Sequence, residues 1–410
     1  MPRGTHRRLR SFVALRHAHG AWRLGIFLFF TPIITRPTAS ENGRLADEKP
    51  KNCVRPVRSD ALTLRMKFDH EFERMNSARA GCLPVRPPNA FGSGILESRI
   101  LRLSDLGAPG APSFHCVNWA DPRDNFVNGL LELSGLSSAS DTYATVQQKA
   151  DQILSEFQTK LQANSIRIPI NEPTVSGTWW NAYKGVIDTA VTKGMKVIVA
   201  YWAYQNGMPN DATAFRNMWQ VVVSAYQSNN LVYFDIHNEP YGYSGTAWNT
   251  AAAQWLTDFP NVPKGRVIVA GTGYDDNVVP VGSDSRFNGC LLQLHIYGFW
   301  HQDWTTQAQW TSSMNAALGS YSARTIVGEW GAPMTDGSDY SNTNTTGDAF
   351  RSYVRAVSDV THNGGMGSCY WPGLRNGDSY SMTTLRTGSP LTLSVNSTSG
   401  LDRLHWAWGI

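Results

Sequence analysis

The sequence predicts an α/β protein of the (β/α)8, or TIM, barrel class, with a basic and irregular N-terminal extension. Eight short apolar, β-rich runs follow one another between residues 114 and 371. Amphipathic stretches of helical length separate most of them, which indicates a parallel sheet covered on its outer face. Eight such units in the roughly 300 residues from 113 onwards fit this barrel. A doubly wound open sheet is the alternative, but no glycine-rich phosphate turn follows the first run.

The first 40 residues have the order of a secretory signal. Arginines are frequent up to Arg23, the apolar run Leu24 to Ile34 follows, and small residues come next. Eleven apolar residues interrupted by Pro32 are short for a bilayer span. We therefore predict a signal segment at 1–40 and no other membrane contact, with an uncleaved anchor as the alternative.

Residues 41–112 mix proline, glycine and charge without a sustained period, which predicts a linker or irregular extension. A wrongly placed start of the coding sequence is the alternative. Residues 1–60 carry 12 basic and 4 acidic residues, whereas the rest of the chain carries 24 and 28. Because the body is mildly acidic, nucleic acid is not an expected partner.

The five cysteines stand at positions 53, 82, 116, 290 and 369, so at least one is unpaired. A secreted chain can form one or two disulfides from them, but the sequence does not assign the pairs. Their spacing, and that of the histidines, matches no metal motif. We expect no metal and no cofactor.

The eight runs are assigned to strands in chain order. They are 114–119, 165–170, 196–202, 231–237, 266–271, 291–297, 324–330 and 365–371. The helical stretches between them are 142–161, 179–193, 211–228, 246–258, 303–319 and 347–362. The helix expected between the fifth and sixth strands has only a weak sequence signal. A Ser/Thr-rich loop follows the eighth strand before a short C-terminal segment. The predicted catalytic domain is therefore 113–410.

Polar and aromatic side chains follow most of these strands, at the end where barrel enzymes hold their active residues. They are Asn118, Trp119, Arg167, Tyr201, Trp202, Asn238, Glu239, His295, Tyr297, Glu329, Trp330 and Trp371. Glu239 follows strand 4, and Glu329 stands near the end of strand 7. Two carboxylates at opposed strand ends are what acid-assisted cleavage of a glycosidic bond requires.

Asn238-Glu239-Pro240, the second glutamate Glu329, Arg167 on strand 2 and the His295-x-Tyr297 pair occur here in one order. With Trp371 on strand 8, this set resembles glycoside hydrolase family 5, the cellulase-like family of clan A, over about residues 114–410. The resemblance implies retaining hydrolysis, with Glu239 as acid/base and Glu329 as nucleophile. The two carboxyl groups are then expected about 5–5.5 Å apart.

The resemblance also implies roles for the neighbouring residues. Arg167 is expected to keep Glu329 ionised through a charge-assisted pair, and Tyr297 to donate to the same carboxylate. Asn238 is expected to bind the sugar 2-hydroxyl. His295 is expected to bind substrate or to tune the acid.

Trp371 is expected to form the floor under the sugar, with Asn118 and Trp202 as further supporting or binding residues. One position departs from the family. Strand 3 usually ends in a histidine that contacts the sugar, whereas this chain has Tyr201-Trp202 there. The departure leaves the carboxylate chemistry untouched and leaves the identity of the sugar open.

These residues predict a secreted, extracellular, monomeric retaining glycosidase that cleaves β-glycosidic bonds in cell-wall polysaccharide or oligosaccharide. An exo-acting family member on a non-glucan sugar is the first alternative, since the loop at about 120–141 is long enough to close one end of a groove. A carbohydrate-binding barrel without catalysis is the alternative of another class. It has no need of two opposed carboxylates.

Overall fold

The computed structural model describes residues 113–123 and 127–410 of the chain. The predicted signal segment at 1–40 and the predicted linker at 41–112 lie outside the described residues, and both assignments stay predictions. Within the described part, no helix is both long and apolar enough to cross a membrane.

Eight parallel strands form the centre of the fold. They are β1 (His115–Trp119), β2 (Ser165–Ile170), β3 (Lys196–Trp202), β4 (Val232–Asn238), β5 (Val267–Ala270), β6 (Leu291–His295), β7 (Thr325–Trp330) and β8 (Ser368–Leu374). Each pairs with the next strand in the chain, and β8 pairs with β1, which closes the sheet into a barrel. The predicted (β/α)8 barrel is confirmed, and the open-sheet alternative is wrong.

Helices lie between the strands, as predicted. They are α1 (Tyr143–Leu161), α2 (Glu172–Ser176), α3 (Trp180–Tyr183), α4 (Gly185–Thr192), α5 (Ala212–Tyr226), α6 (Gly245–Asp258), α7 (Val279–Gly282), α8 (Gln307–Leu318), α9 (Ala349–Asn363) and α10 (Thr398–Trp408). The predicted helix at 179–193 is divided into α3 and α4. The weak fifth helix is reduced to α7, a single turn.

The Ser/Thr-rich segment after β8 is a hairpin rather than the expected loop. Its strands are β9 (Thr383–Arg386) and β10 (Thr392–Val395), which pair antiparallel, and β9 extends the sheet from β8. The alternation of Thr and Ser with Leu and Val in 391–395 is the strand signal that sequence reasoning missed. The hairpin is fixed on α1, where Glu156 accepts from the backbone N–H of Leu393 at 2.7 Å.

The barrel interior changes from apolar to polar toward the carboxyl ends of the strands. A buried cluster of Phe114, Cys116, Ile198, Tyr233, Ile268, Leu291, Ile326 and Cys369 fills one layer. Side chains two positions further along a strand point to the same side, and there Cys116 is followed by Asn118 and Tyr233 by Asp235. The polar layer above is the floor of the site.

A disulfide links Cys116 on β1 to Cys369 on β8, at directly paired positions of the two strands. Cys290 is buried and forms no disulfide with any cysteine that the structure describes. The remaining two cysteines, at 53 and 82, lie outside the described residues. The pairing that the sequence left open thus joins the first and last barrel strands.

Candidate active site

The two predicted catalytic glutamates meet at the carboxyl ends of β4 and β7. One carboxylate oxygen of Glu239 and one of Glu329 lie within 4.8 Å of each other. Both residues line an open cavity of about 560 Å³. The side chains are 14% and 5% exposed, respectively, so each can be reached from the cavity while most of its surface is buried.

Both oxygens of Glu329 are held by donors. Arg167 donates from Nη1 to Oε1 at 2.6 Å, and the hydroxyl of Tyr297 donates to Oε2 at 2.7 Å. Burial raises the pKa of Glu329, while Arg167 and the Tyr297 hydroxyl act to lower it. These two donors stabilise the ionised carboxylate, which is the form that a nucleophile needs.

Arg167 is the centre of this polar layer, with no exposed side-chain surface. Its Nε donates to Asp235 at 2.9 Å, and Nη2 donates to Asn238 at 2.6 Å. Nη1 also donates to Asn118 at 3.1 Å. Burial alone lowers the pKa of this guanidinium, but Asp235 and Glu329 raise it overall. The cation is therefore permanent, and its planar guanidinium holds four neighbours at once, Glu329 included.

Asn118 is oriented by the backbone around it. Its Nδ2 donates to the carbonyl of Gly328 at 3.1 Å and to that of Tyr370 at 3.2 Å. Since both amide hydrogens are directed at β7 and β8, Oδ1 faces Arg167. Asn118 thus contacts Arg167 directly, and its role in binding or support stays a prediction.

Glu239 occupies a different environment. Its backbone is left-handed, with φ 49°. This conformation is uncommon for residues other than glycine, and such strained conformations cluster at functional sites. Burial raises the pKa of Glu239 well above its ordinary value, and the charge of Glu329 raises it further, while Arg167 opposes both. The result favours a protonated carboxyl group beside an ionised one, as acid-assisted cleavage requires.

His295 contacts the acid. Its Nδ1 lies 3.0 Å from Oε1 of Glu239 and 3.8 Å from Oε2 of Glu329. Burial, and then the charge of Arg167, hold the pKa of this imidazole well below its ordinary value. His295 is therefore neutral, and it acts through hydrogen bonding rather than charge.

Aromatic rings cover the wall of the cavity. Trp202 and Trp371 lie with ring centroids 5.2 Å apart and planes tilted by 33°, and both line the cavity. Trp300, Phe299 and Tyr274 line it as well. Flat apolar rings next to two carboxylates suit the C–H faces of a sugar. The structure thus places Trp202 and Trp371 in the cavity lining, and their role in sugar binding stays a prediction.

A family model described as cellulase, glycosyl hydrolase family 5, matches residues 125–372. The chain belongs to this family. Among solved structures, the catalytic domain of the major endoglucanase from Xanthomonas campestris pv. campestris is 16% identical, with a TM-score of 0.54 over 73% of this chain and 95% of that one. The hyperthermophilic endocellulase from the archaeon Pyrococcus horikoshii is 15% identical, with a TM-score of 0.51 over 72% and 92%.

At these identities, the likeness to the solved endoglucanases establishes the fold alone. The search of curated proteins finds no match. Membership of family 5 makes the barrel that of a glycoside hydrolase. What this particular chain acts on has to be argued from its own side chains.

The departure from family 5 at the end of β3 has a structural answer. Tyr201 turns away from the cavity and donates from its hydroxyl to Glu172 at 2.9 Å. Trp202 is the residue of this strand end that lines the cavity. An indole ring therefore stands at the strand end where the family usually places an imidazole.

Sequence reasoning missed several residues of this family 5 site, among them Asp235, Asp275, Arg375 and Asp378. Asp235 has a signal, because it interrupts the apolar run LVYFDIH and a strand buried on both faces has no room for an unpaired carboxylate. Arg375 and Asp378 line the cavity from the loop after β8, and Asp275 lies fully buried in the loop after β5. No local sequence pattern indicates that these loop residues belong to the surroundings of the two glutamates.

One group among the described residues offers ligand atoms close enough to hold a metal ion, and it consists of Glu239, His295 and Glu329. These are the proposed acid, its histidine and the proposed nucleophile. Arg167 already donates to Glu329 at 2.6 Å, and a guanidinium so close repels a second cation. We therefore interpret the group as acid–base machinery rather than as a metal centre.

Proposed function

We propose that the protein is a secreted, retaining glycoside hydrolase that cleaves β-glycosidic bonds in cell-wall polysaccharide or oligosaccharide. The observation that carries the proposal is the pair Glu239 and Glu329, with oxygens within 4.8 Å and in unlike environments. Retaining enzymes hold their carboxyl groups about 5–5.5 Å apart, whereas inverting enzymes leave room for water at 6.5–9.5 Å.

In the first step of this mechanism, Glu239 gives its proton to the glycosidic oxygen while Glu329 attacks the anomeric carbon. The bond to the leaving group breaks, and a glycosyl ester forms on Glu329. In the second step, Glu239 removes a proton from water, which displaces the ester and restores both carboxyl groups. Tyr297 and Arg167 stabilise Glu329 when it departs as a carboxylate.

For the substrate, we propose a β-glucan-like chain in the first place. The structural neighbours are named endoglucanase and endocellulase, and the Trp202 and Trp371 rings offer a platform for a sugar in the cavity. The indole of Trp202 replaces a hydrogen-bonding group at the cleavage position. The proposed substrates therefore include sugars that need no polar contact with the residue at the end of β3.

The experiment is a comparison of Glu329→Ala and Glu239→Ala with wild type on aryl β-glycosides and on soluble β-glucan. We expect Glu329→Ala to abolish turnover of every substrate. Glu239→Ala should spare substrates with good leaving groups, because only poor leaving groups need a proton. Asp402→Ala, an exposed carboxylate on α10, is the control and should keep wild-type rates.

The anomeric form of the first product distinguishes the mechanism. NMR during the first minutes of hydrolysis should record the β-anomer before mutarotation. An α-anomer would contradict the retaining assignment. Full activity of Glu329→Ala on aryl glycosides would contradict the nucleophile, and binding without turnover in wild type would favour the non-catalytic barrel.

Secretion is part of the proposal because two observations support it, the signal-like segment and the Cys116–Cys369 disulfide. Disulfides persist in oxidising compartments and are rare in the cytosol. Expression of the whole chain in a eukaryotic host should deliver the protein to the medium with residues 1–40 removed. Retention in the cell with an intact N-terminus would contradict this part.

Exo action is the second candidate, and Arg375 is the observation that favours it. Arg375 lines the cavity and donates from Nε to the carbonyl of Asp121 at 3.1 Å and from Nη1 to Asp378 at 3.1 Å. It also donates to the carbonyl of Arg123. The residues after β8 are thereby tied to the loop after β1, through a side chain that lines the cavity.

If this tie closes the groove, Arg375→Ala should open it to longer chains. The ratio of viscosity loss to reducing ends released from a soluble glucan should then rise relative to wild type. Arg386→Ala, on the hairpin and away from the cavity lining, is the control. An already high ratio in wild type would favour endo action and overturn the second candidate.

A further inference from the structure

Asp275 is a buried carboxyl group for which the mechanism above has no use. It lies between β5 and α7, has no exposed surface, and holds a left-handed backbone with φ 59°. Gln293 donates to its Oδ2 at 2.9 Å, and within the described residues no lysine or arginine forms an ion pair with it. A buried carboxyl group without a cation is expected to be neutral.

The surroundings of Asp275 agree with a neutral form. Burial raises its pKa well above the ordinary value, the charges of Asp235 and Glu239 raise it further, and Gln293 and Arg167 act in the opposite direction. In its neutral form the side chain carries a hydroxyl hydrogen. That hydrogen needs an acceptor, because leaving it unpaired in the interior is costly.

His295 supplies the acceptor. Its Nε2 lies 3.2 Å from Oδ2 of Asp275, and its backbone N–H donates to the carbonyl of Asp275 at 2.9 Å. The 3.2 Å contact is short enough for a hydrogen bond but is not aligned as one, and Nε2 has no aligned partner in the described part of the chain. Hydrogen bonds of catalytic groups are often misaligned before substrate binds.

The opposite edge of the same ring faces the acid, with Nδ1 3.0 Å from Glu239. Asp275, His295 and Glu239 therefore form a line through one imidazole. A neutral imidazole has a single N–H, and the bond made by one nitrogen decides the state of the other. The hydrogen bond between Asp275 and Nε2 therefore determines whether Nδ1 of His295 presents an N–H or a lone pair to Glu239.

We propose that Asp275 is a positioning residue for the acid/base: in its neutral form it donates to Nε2 of His295 and so directs the N–H at Nδ1 toward Glu239. The proposal rests on the function proposed above. It explains how one ring serves both steps. The Nδ1 hydrogen bonds to Glu239 before the proton is given away, and it stabilises the carboxylate that must later act as a base.

The other tautomer would serve the reaction poorly. With the hydrogen on Nε2, the lone pair at Nδ1 would face Glu239. That lone pair can accept a hydrogen bond from protonated Glu239, but it cannot donate one to the Glu239 carboxylate. The first step would proceed, but the carboxylate needed for the second step would lose a donor. No proton leaves Asp275 or His295 in the proposed scheme, since both hydrogens stay on their atoms throughout the cycle.

The test compares Asp275→Asn with Asp275→Ala. An asparagine amide donates to Nε2 as a neutral aspartic acid does, so Asp275→Asn should keep kcat within about 3-fold of wild type. Asp275→Ala should lower kcat by roughly 10-fold. It should also produce a burst of released phenol on aryl glycosides, because the second step becomes slower than the first.

The pH profile separates positioning from a merely structural role. Loss of the Nδ1 donor favours protonated Glu239, so the alkaline limb of kcat/KM should move to higher pH in Asp275→Ala. The charged groups that face Glu239 are Glu329, Arg167 and Asp276, and those that face Asp275 include Asp235. Asp276→Asn is the matched control, and removal of its charge should move the limb to lower pH or leave it in place.

A direct measurement on wild type keeps the proposal falsifiable even where a variant does not fold. In ¹⁵N-labelled protein, with the His295 signals assigned by their loss in His295→Gln, Nδ1 should carry the hydrogen and Nε2 should not. A hydrogen on Nε2 would overturn the proposal, as would a wild-type rate and profile in folded Asp275→Ala. Because the tautomer is measured without turnover, failure of the glycosidase assignment remains distinguishable.

Discussion

The two arcs of the barrel mouth differ in how they are built. The line from Glu239 after β4 to Glu329 on β7 divides the ring of strands. On the arc of β8, β1, β2 and β3, Asn118 and Arg167 form a buried hydrogen-bonded layer next to the Trp202 and Trp371 rings. On the arc of β5 and β6, Tyr274 and Phe299 stand 46% and 47% exposed in the same cavity.

The proposed mechanism accounts for this difference. In that mechanism, the sugar that becomes attached to Glu329 must be held in one geometry, and buried hydrogen bonds provide that order. The leaving group would depart on the side of Glu239, the proposed acid, and would have to be released. Exposed rings, such as Tyr274 stacked on Tyr241 at 4.5 Å, offer contact area without fixed direction. Specificity is therefore expected on the first arc and tolerance on the second.

The largest effect should come from breaking the ordered arc at its centre. Arg167→Ala removes donors from Glu329, Asp235 and Asn238, and we expect kcat/KM to fall by roughly 10³-fold. The free energy of unfolding should fall by about 3 kcal/mol, because a buried carboxylate loses its cation. Kinetics and chemical denaturation measure the two effects.

Arg403→Ala is the matched control for that prediction. Arg403 is also buried and pairs with Asp359, but it lies on α10, away from the cavity. It should cost stability while kcat/KM stays near wild type. If Arg167→Ala also affects only stability, the layer under the sugar is structural and not catalytic.

A second effect concerns the boundary between the arcs. Activity requires protonated Glu239 and ionised Glu329, so it should be lost as the pH rises through the raised pKa of Glu239. In Glu329→Gln the repelling charge is gone, and the pKa of Glu239 should fall toward its ordinary value. A ¹³C titration of the glutamate carboxyl groups checks this, and an unchanged pKa would contradict the coupling.

The smallest effect is expected on the tolerant arc. Tyr274→Ala or Phe299→Ala should raise KM for oligosaccharides by about 5-fold, since one stacking contact is lost. The kcat for an activated aryl glycoside should hardly change. Tyr143→Ala, an exposed aromatic on α1, controls for surface effects. A large loss of kcat would mean that these rings orient the reaction as strictly as Trp371 does.

The site residues that lie on strands were more predictable from sequence than those on loops. Arg167, Asn238 and Glu329 lie on β2, β4 and β7, where an apolar run of known period places the side chain toward the barrel mouth. The residues that reach the site from loops carry no such period, and Asp275 and Arg375 were missed for that reason. Their positions depend on turns, such as the left-handed one at Asp275, that form only when the surrounding structure is complete.

The hairpin after β8 gives the same lesson at the level of an element. The signal in Leu391 to Val395 is short and has a polar face, so composition alone favoured a loop. Its strand character depends on pairing with β8 through Leu374 and on Glu156 of α1, of which only Glu156 is distant in sequence. The local sequence pattern therefore predicted the apolar strands of the barrel. It missed the hairpin, whose strands form only where they contact other elements.

The Cys116–Cys369 bond affects what happens when a protease cuts the chain. It makes one covalent ring of the 253-residue span between two neighbouring strands. A protease that cuts any surface loop within that ring opens the chain but releases no fragment. A nicked molecule can therefore keep its strands in place and both glutamates at the mouth. A single proteolytic cut therefore need not end activity.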